Sequence, residues 1–192
     1  MNDKKGLLVV FSAPSGCGKD TILQTIFQNK NCEDFVLSRS MTTRAPRSGE
    51  QNGVDYYFVT REEFEQKIAA GRLIEFAEYS GNYYGTPKDP VEAWLAQGKI
   101  VILEIEVQGA SKVVRAYPEA LSIFILPPSL EELERRLRLR NTDSEETIAR
   151  RIALAPGEIA KSSEFKHCVV NDDLTRASEE VYQLIISERE RI

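Results

Sequence analysis

The stretch from residue 7 to about residue 27 constrains this chain more than any other. Leu7-Leu-Val-Val-Phe11 is a short apolar run with the length and branching of a buried strand. At Ser12 it gives way to small residues and to Gly16-Cys17-Gly18-Lys19. Beyond Lys19, Ile22, Leu23 and Ile26 recur at helical spacing. Ala13-Pro14-Ser15-Gly16-Cys17-Gly18-Lys19-Asp20-Thr21 is therefore a loop between a strand and a helix, close to the pattern G-x-x-x-x-G-K-[ST]. Each residue type has a reason to be there. Glycines let backbone N–H groups turn inward around a phosphate with no Cβ in the way. The helix start adds the positive end of its dipole. Lys19 brings a point charge on a flexible stem to the β- and γ-phosphates. Two positions depart from the pattern. Ala13 replaces the first glycine, and Asp20 stands where a hydroxyl would ligate Mg²⁺. Asp20 is expected to point away and cap the helix, because a carboxylate beside the phosphates would repel them. Thr21 lies one place further along, and Cys17 reads as a small loop residue.

The rest of the chain alternates strands and helices. Residues 100–105, 121–126 and 168–170 read as strands. Residues 90–97, the Leu130/Leu133/Leu137 segment and the Val181/Leu184/Ile185/Ile192 segment read as helices. This order implies an α/β fold, a parallel sheet flanked by helices on both faces. Residues 40–90 have another character. They are rich in Gly, Tyr, Thr and Pro, with strand-like runs at 56–59 and 74–79 and a short helix at 62–70. They read as a small subdomain inserted into the core. Pro127-Pro128 and Asn141-Thr142-Asp-Ser are breaks, and Thr142 with Glu145 matches a capping box.

Composition removes several classes of function. The net charge of −5 argues against a broad nucleic-acid surface. Positive charge must then be concentrated locally, and it is: Arg39, Arg44 and Arg47 form one group, and Arg135, Arg136, Arg138, Arg140, Arg150 and Arg151 another. Cys17, Cys32 and Cys168 are widely spaced, which fits neither a disulfide framework nor a zinc site. His167 is the only histidine and reads as a strand-end residue, so a His-centred triad is excluded. No run approaches the ~18 apolar residues of a membrane span. Leu7–Phe11 is too short for a signal-peptide core, and a cytoplasmic enzyme with no membrane partner is expected. A GTPase would carry N-K-x-D, whereas Asn29-Lys30 is followed by Asn31-Cys32.

Three further segments narrow the reading. One runs Ser38-Arg39-Ser40-Met-Thr-Thr-Arg44-Ala-Pro-Arg47-Ser-Gly-Glu50 and on through Asn52-Gly-Val-Asp-Tyr56-Tyr57-Phe58. Another is Ile74-Glu75-Phe76 followed by Gly81-Asn-Tyr83-Tyr84-Gly85-Thr86. The third is Leu103-Glu104-Ile105-Glu106-Val-Gln108-Gly109. With the phosphate loop, these closely resemble the guanylate kinase family, from about Leu8 to the C-terminus. The resemblance implies ATP as phosphoryl donor, GMP as acceptor and Mg²⁺ as cofactor. It implies that Glu75 reads guanine, with Ser40, Thr86 and Glu106 completing the base pocket. It implies that Glu104 organises the Mg²⁺ water shell and that Asn171 lies near the adenine. Arg136, Arg140 and Arg151 match the phosphate-contacting arginines of the family's lid, while Arg135, Arg138 and Arg150 read as solvated helix residues. The implied organisation is one domain: a core of residues 1–39, 91–138 and 165–192, a GMP-binding insert of residues 40–90, and a lid of residues 139–164.

The chemistry of the residues agrees with this. Arg44 and Arg47 can each grip a phosphate through paired N–H groups, and the Tyr56 and Tyr84 hydroxyls can donate to it. Guanine presents N1–H and N2–H₂ side by side, and a carboxylate accepts from both. Adenine offers an acceptor at N1. Glu104 and Glu106 alternate near the end of an apolar strand, so they share a face where a parallel sheet opens on its ligand crevice. Two other readings stand beside this one: a protein-binding module built on the same fold, and a P-loop kinase acting on AMP or a non-nucleotide acceptor. Retention of Lys19, Arg44 and Arg47 favours catalysis over the module. Oligomeric state is not legible.

Overall fold

The computed structural model describes residues 5–79, 81–139 and 144–192. The chain opens with β1 (Leu7–Ser12), buried throughout, and passes through the glycine loop into α1 (Lys19–Asn29). β2 (Phe35–Leu37) follows. The chain then leaves the main sheet for β3 (Met41–Thr42), β4 (Tyr57–Phe58), α2 (Arg61–Ala69), β5 (Leu73–Tyr79) and β6 (Asn82–Pro87). It returns through α3 (Lys88–Ala96), β7 (Ile100–Glu104), α4 (Val107–Ala116), β8 (Leu121–Leu126) and α5 (Leu130–Leu139). α6 (Glu145–Ala160) and a 3₁₀ turn (Lys161–Glu164) precede β9 (His167–Val170) and α7 (Leu174–Arg191).

The main sheet has the order β2-β7-β1-β8-β9, and every pairing is parallel. Its strands are continuous apolar runs because helices cover both faces. Side chains alternate between the two covers. Val9, Phe11, Ile100 and Ile102 pack with Ile22, Leu23, Val181 and Ile185 of α1 and α7. Leu8, Val10, Val101 and Leu103 pack with Val91, Val107 and Val113 of α3 and α4. Each such buried aliphatic side chain contributes about 1.5–3 kcal/mol. The switch in strand order lies at β1, whose C-terminal end carries the glycine loop. Among the described residues, no helix is long and apolar enough to cross a membrane.

The second sheet has the order β4-β3-β6-β5, with β3 and β4 parallel and the other pairings antiparallel. α2 packs on it through the fully buried Phe64, which stacks on Tyr83 with ring centroids 5.2 Å apart. Thr60 and Glu63 form a reciprocal capping box at the start of α2.

Four elements were not legible as periodic runs. β2 and β3 have three and two residues, too few to show alternation. β6 reads Asn-Tyr-Tyr-Gly-Thr-Pro and owes its strand form to pairing on both sides. α4 combines Gly109, Ser111 and three valines, all weak helix formers, and is held by burial of Val107, Ala110 and Val113. α6 begins two residues later than the capping-box reading placed it. Its cap is Ser144, whose side chain accepts from the Thr147 N–H, whereas Thr142 lies outside the described residues.

Candidate active site

The loop from Ala13 to Gly18 joins the C-terminal end of β1 to the N-terminus of α1 and forms one wall of a cleft with Lys19 and Asp20. Gly18 occupies the cap position of α1 at φ 83, a left-handed conformation that L side chains rarely adopt. Lys19 reaches across to β7, where its Nζ lies 2.6 Å from Glu104 Oε1. Burial pushes the Glu104 carboxyl above its ordinary range, although Lys19 pulls it down.

Asp20 departs from expectation. The cap position belongs to Gly18, and no side chain caps this helix. The Asp20 carboxylate instead lies 3.6 Å from Lys19 Nζ, and its proximity to Glu104 raises the Glu104 carboxyl further. It lies in the first turn of the helix, beside the Lys19 charge.

The arginines of the 44–47 turn sit on the second sheet. The turn is set by Thr42, whose hydroxyl donates to the Tyr83 carbonyl at 2.9 Å and accepts from the Arg44 N–H at 3.1 Å. Arg44 Nη2 donates to both oxygens of Glu50 at 2.9 and 3.0 Å, and the Arg47 N–H donates to Glu50 at 2.7 Å. Glu50 was quoted in the motif without a role. Its place three residues after Arg47 in a Pro/Gly turn was the available signal. The Arg44 guanidinium stands 5.6 Å from the Tyr56 ring, and Tyr56 meets Tyr84 edge to face at 6.2 Å. Arg44, Tyr56 and Tyr84 thus lie together, with Arg47 joined to them through its backbone bond to Glu50. Ser40 sits just before β3, and its carbonyl accepts from the Tyr57 N–H at 2.9 Å.

Glu75 is 8% exposed on β5 and accepts from Thr86 Oγ1 at 2.8 Å. Its other face meets α4 at Gly109, where a Cβ would stand 2.7 Å from Glu75 Oε2, so only glycine permits this approach. Burial pushes the Glu75 carboxyl up, more than the Thr86 hydrogen bond and Lys112 pull it down. Glu106 caps α4 in position only, with no side-chain cap bond. It adds negative potential at Glu75 and Tyr56 and also lines the cleft with the glycine loop.

α6 supplies the opposite wall of that cleft through Arg150, Arg151, Leu154 and Glu158. Arg150 is an exposed helix residue, as its sequence context implies, and also borders this wall. Leu154 and Glu158 were not singled out, although 151, 154 and 158 share a helix face by spacing. Arg135 and Arg138 are surface residues paired with Glu132, Glu134 and Glu145. Arg140 and Asn141 lie outside the described residues. A second cavity, behind the loop, is lined by Gly16, Gly18, Thr21, Arg136, Asn171 and Asp172, among others.

A strand, a Gly-x-Gly-Lys loop and a helix at the switch point of a parallel sheet define a P-loop nucleotide-binding protein. The particular family follows from comparison. The family model described as guanylate kinase matches residues 5–188. A guanylate kinase from Thermosynechococcus vestitus is 56% identical over 172 residues, covering 90% of this chain and 89% of that protein. One from Bacillus subtilis is 49% identical over 192 residues, covering 98% and 94%. The crystal structure of guanylate kinase from Anaplasma phagocytophilum superposes with a TM-score of 0.77 at 36% identity, covering 98% of this chain and 89% of that one. This chain belongs to the guanylate kinase family.

Proposed function

We propose that this protein transfers the γ-phosphoryl group of ATP to GMP in the cytoplasm, giving ADP and GDP. The observation that carries this reading is the position of Glu106. It lines the phosphate-loop cleft and acts electrostatically on the buried Glu75, so the donor cleft and the base-reading carboxylate share a border.

Residues 13–21 hold the ATP phosphates, with Asn171 on the adenosine side. Lys19 leaves Glu104 for the β- and γ-phosphates. Ionised Glu75 accepts from guanine N1–H and N2–H₂, with Ser40, Thr86 and Glu106 around the base. Arg44, Arg47, Tyr56 and Tyr84 fix the GMP phosphate in line with the γ-phosphoryl group. Arg136, Arg140 and Arg151 neutralise the charge that spreads over the transferred oxygens. No side chain acts as general base, because the acceptor phosphate is already a nucleophile. The insert of residues 40–90 and the lid of residues 139–164 close over the pair and exclude water.

The residues present fit Mg²⁺. Glu104 is a hard oxygen donor beside Lys19 at the loop mouth, and Asp20 adds negative charge there. Among the described residues there is no group of three or more His, Cys, Asp or Glu side chains placed to hold a metal. That suits an ion that keeps several waters and shares the nucleotide's phosphates, with Glu104 holding its water. When bound, Mg²⁺ neutralises charge on the phosphates.

The test separates the two half-sites. Arg44→Ala is expected to raise the GMP KM by at least about tenfold while moving the ATP KM by less than about threefold. Lys19→Ala is expected to lower kcat by about 10² or more. An effect of Arg44→Ala on ATP alone, or normal turnover by Lys19→Ala, contradicts the assignment.

A further inference from the structure

A hydrogen-bond hub lies behind the phosphate loop, just past the end of β9. Asn171 is 5% exposed there. Its backbone N–H donates to the Leu126 carbonyl at 2.9 Å, which anchors it to β8. Its side-chain Nδ2 donates to the Cys17 carbonyl at 2.8 Å. Its own carbonyl accepts from Arg136 Nη2 at 2.9 Å. One buried residue therefore joins the sheet, the phosphate loop and an arginine of α5.

The bond to Cys17 has a directional consequence. In a trans peptide the C=O of one residue and the N–H of the next point opposite ways. A Cys17 carbonyl turned back to Asn171 therefore sends the Gly18 N–H away from Asn171. The same geometry leaves no room for a side chain at Gly18, where a Cβ would stand 2.6 Å from Asn171 Nδ2.

We propose that Asn171 is a positioning residue for phosphoryl transfer. It locks the Cys17–Gly18 peptide so that the Gly18 N–H faces the phosphates, and it ties Arg136 to the same fixed point. This rests on the reading of the loop as the donor site and goes beyond a place near the adenine. The role lies in the loop's shape before ATP arrives.

The fully buried Cys17 gives a direct readout. In a Cys32→Ser/Cys168→Ser background it is the one remaining thiol. Its alkylation rate and the ADP Kd can be measured in this parent and in its Asn171→Ala and Asn171→Asp derivatives, with KM values for ATP and GMP beside them. Asn171→Ala is expected to speed alkylation at least about tenfold, as local opening exposes the thiol. It should weaken ADP and raise the ATP KM about tenfold while the GMP KM stays within about twofold. Asn171→Asp keeps the volume but sets acceptor against acceptor at Cys17, and should weaken ADP at least as much as Asn171→Ala. A packing role would be satisfied by aspartate. Retention of parental ADP affinity by Asn171→Asp, or a Cys17 as protected in Asn171→Ala as in the parent, would overturn the proposal. So would ATP and GMP constants that shift together. Thiol protection and ADP binding report on the loop whatever the acceptor is. A parent that binds ADP but ignores GMP would sink the guanylate assignment and leave this one standing.

Discussion

At the scale of single residues, Asp20 is where the structure most changes the reading. Its residue type in a phosphate-loop pattern was plain from the sequence, but its direction was not. The direction depends on Glu104, which lies 84 residues away in sequence on the neighbouring strand β7. Proximity to Lys19 raises the question of whether Asp20 is a working metal ligand. The magnitudes argue against it. The carboxylate is 68% exposed and 3.6 Å from Lys19, and such a pair is worth about 0–1 kcal/mol. Asp20→Ser is therefore expected to keep at least about a tenth of the parental kcat, a change of no more than ~1.4 kcal/mol. A Mg²⁺ titration at saturating ATP and GMP checks this. A hundredfold loss with a much higher Mg²⁺ requirement would make Asp20 a direct ligand. Glu50 makes the same point about legibility. The sequence singles out Arg44 and Arg47, but that one carboxylate holds both takes the folded turn to see.

At the scale of elements, α4 carries more of the proposed acceptor site than its sequence advertised. Its weak propensity hid it, and its glycine has a specific task. Gly109 lets the helix press on Glu75, so a methyl group there must displace the carboxylate. Gly109→Ala would gain helix propensity of about 0.8–1.0 kcal/mol and still damage the base pocket. The expected result is a folded protein with GMP kcat/KM lowered about tenfold or more and ATP KM nearly unchanged. Unaltered GMP kinetics would show that Glu75 does not need its observed position. Strands β1, β7 and β8 of the main sheet were readable because burial on both faces writes long apolar runs. The second sheet was not fully readable. Two of its strands, β3 and β4, have only two residues, and the polar residues of β6 are held by cross-strand partners rather than by their own pattern.

At the scale of the whole molecule, the buried carboxylates of the proposed site cost stability when it is empty. Burial raises the Glu75 and Glu104 carboxyls above their ordinary 4.5. An acid with a raised folded pKa contributes stability that is present below its unfolded value. That stability is lost as pH climbs through the folded value. Glu132 acts in the opposite sense. Its arginine partners pull it down to about 2, so its contribution is present above 4.5 and lost as pH falls toward 2. Glu75→Gln removes one of the penalties at high pH. The ligand-free variant should gain on the parent in Tm between about pH 4.5 and pH 7.5, by about 2–4 °C for each ~1 kcal/mol relieved. Parallel Tm curves across that range would mean that Glu75 ionises in the folded protein without cost.

The central claim is that a buried carboxylate beside the phosphate loop selects guanine. The most direct measurement is steady-state ADP formation from ATP with GMP, AMP, CMP or UMP as acceptor, in the parent and in Glu75→Gln. The parent should use GMP with a kcat/KM at least about 10³-fold above the others, because a site built to accept two adjacent hydrogen bonds leaves at least one of them unmade with any other base. Glu75→Gln should lose about 2–4 kcal/mol of that preference, nearly all of it from GMP. A parent that phosphorylates AMP as readily as GMP, or a Glu75→Gln variant with undiminished GMP preference, would contradict the account.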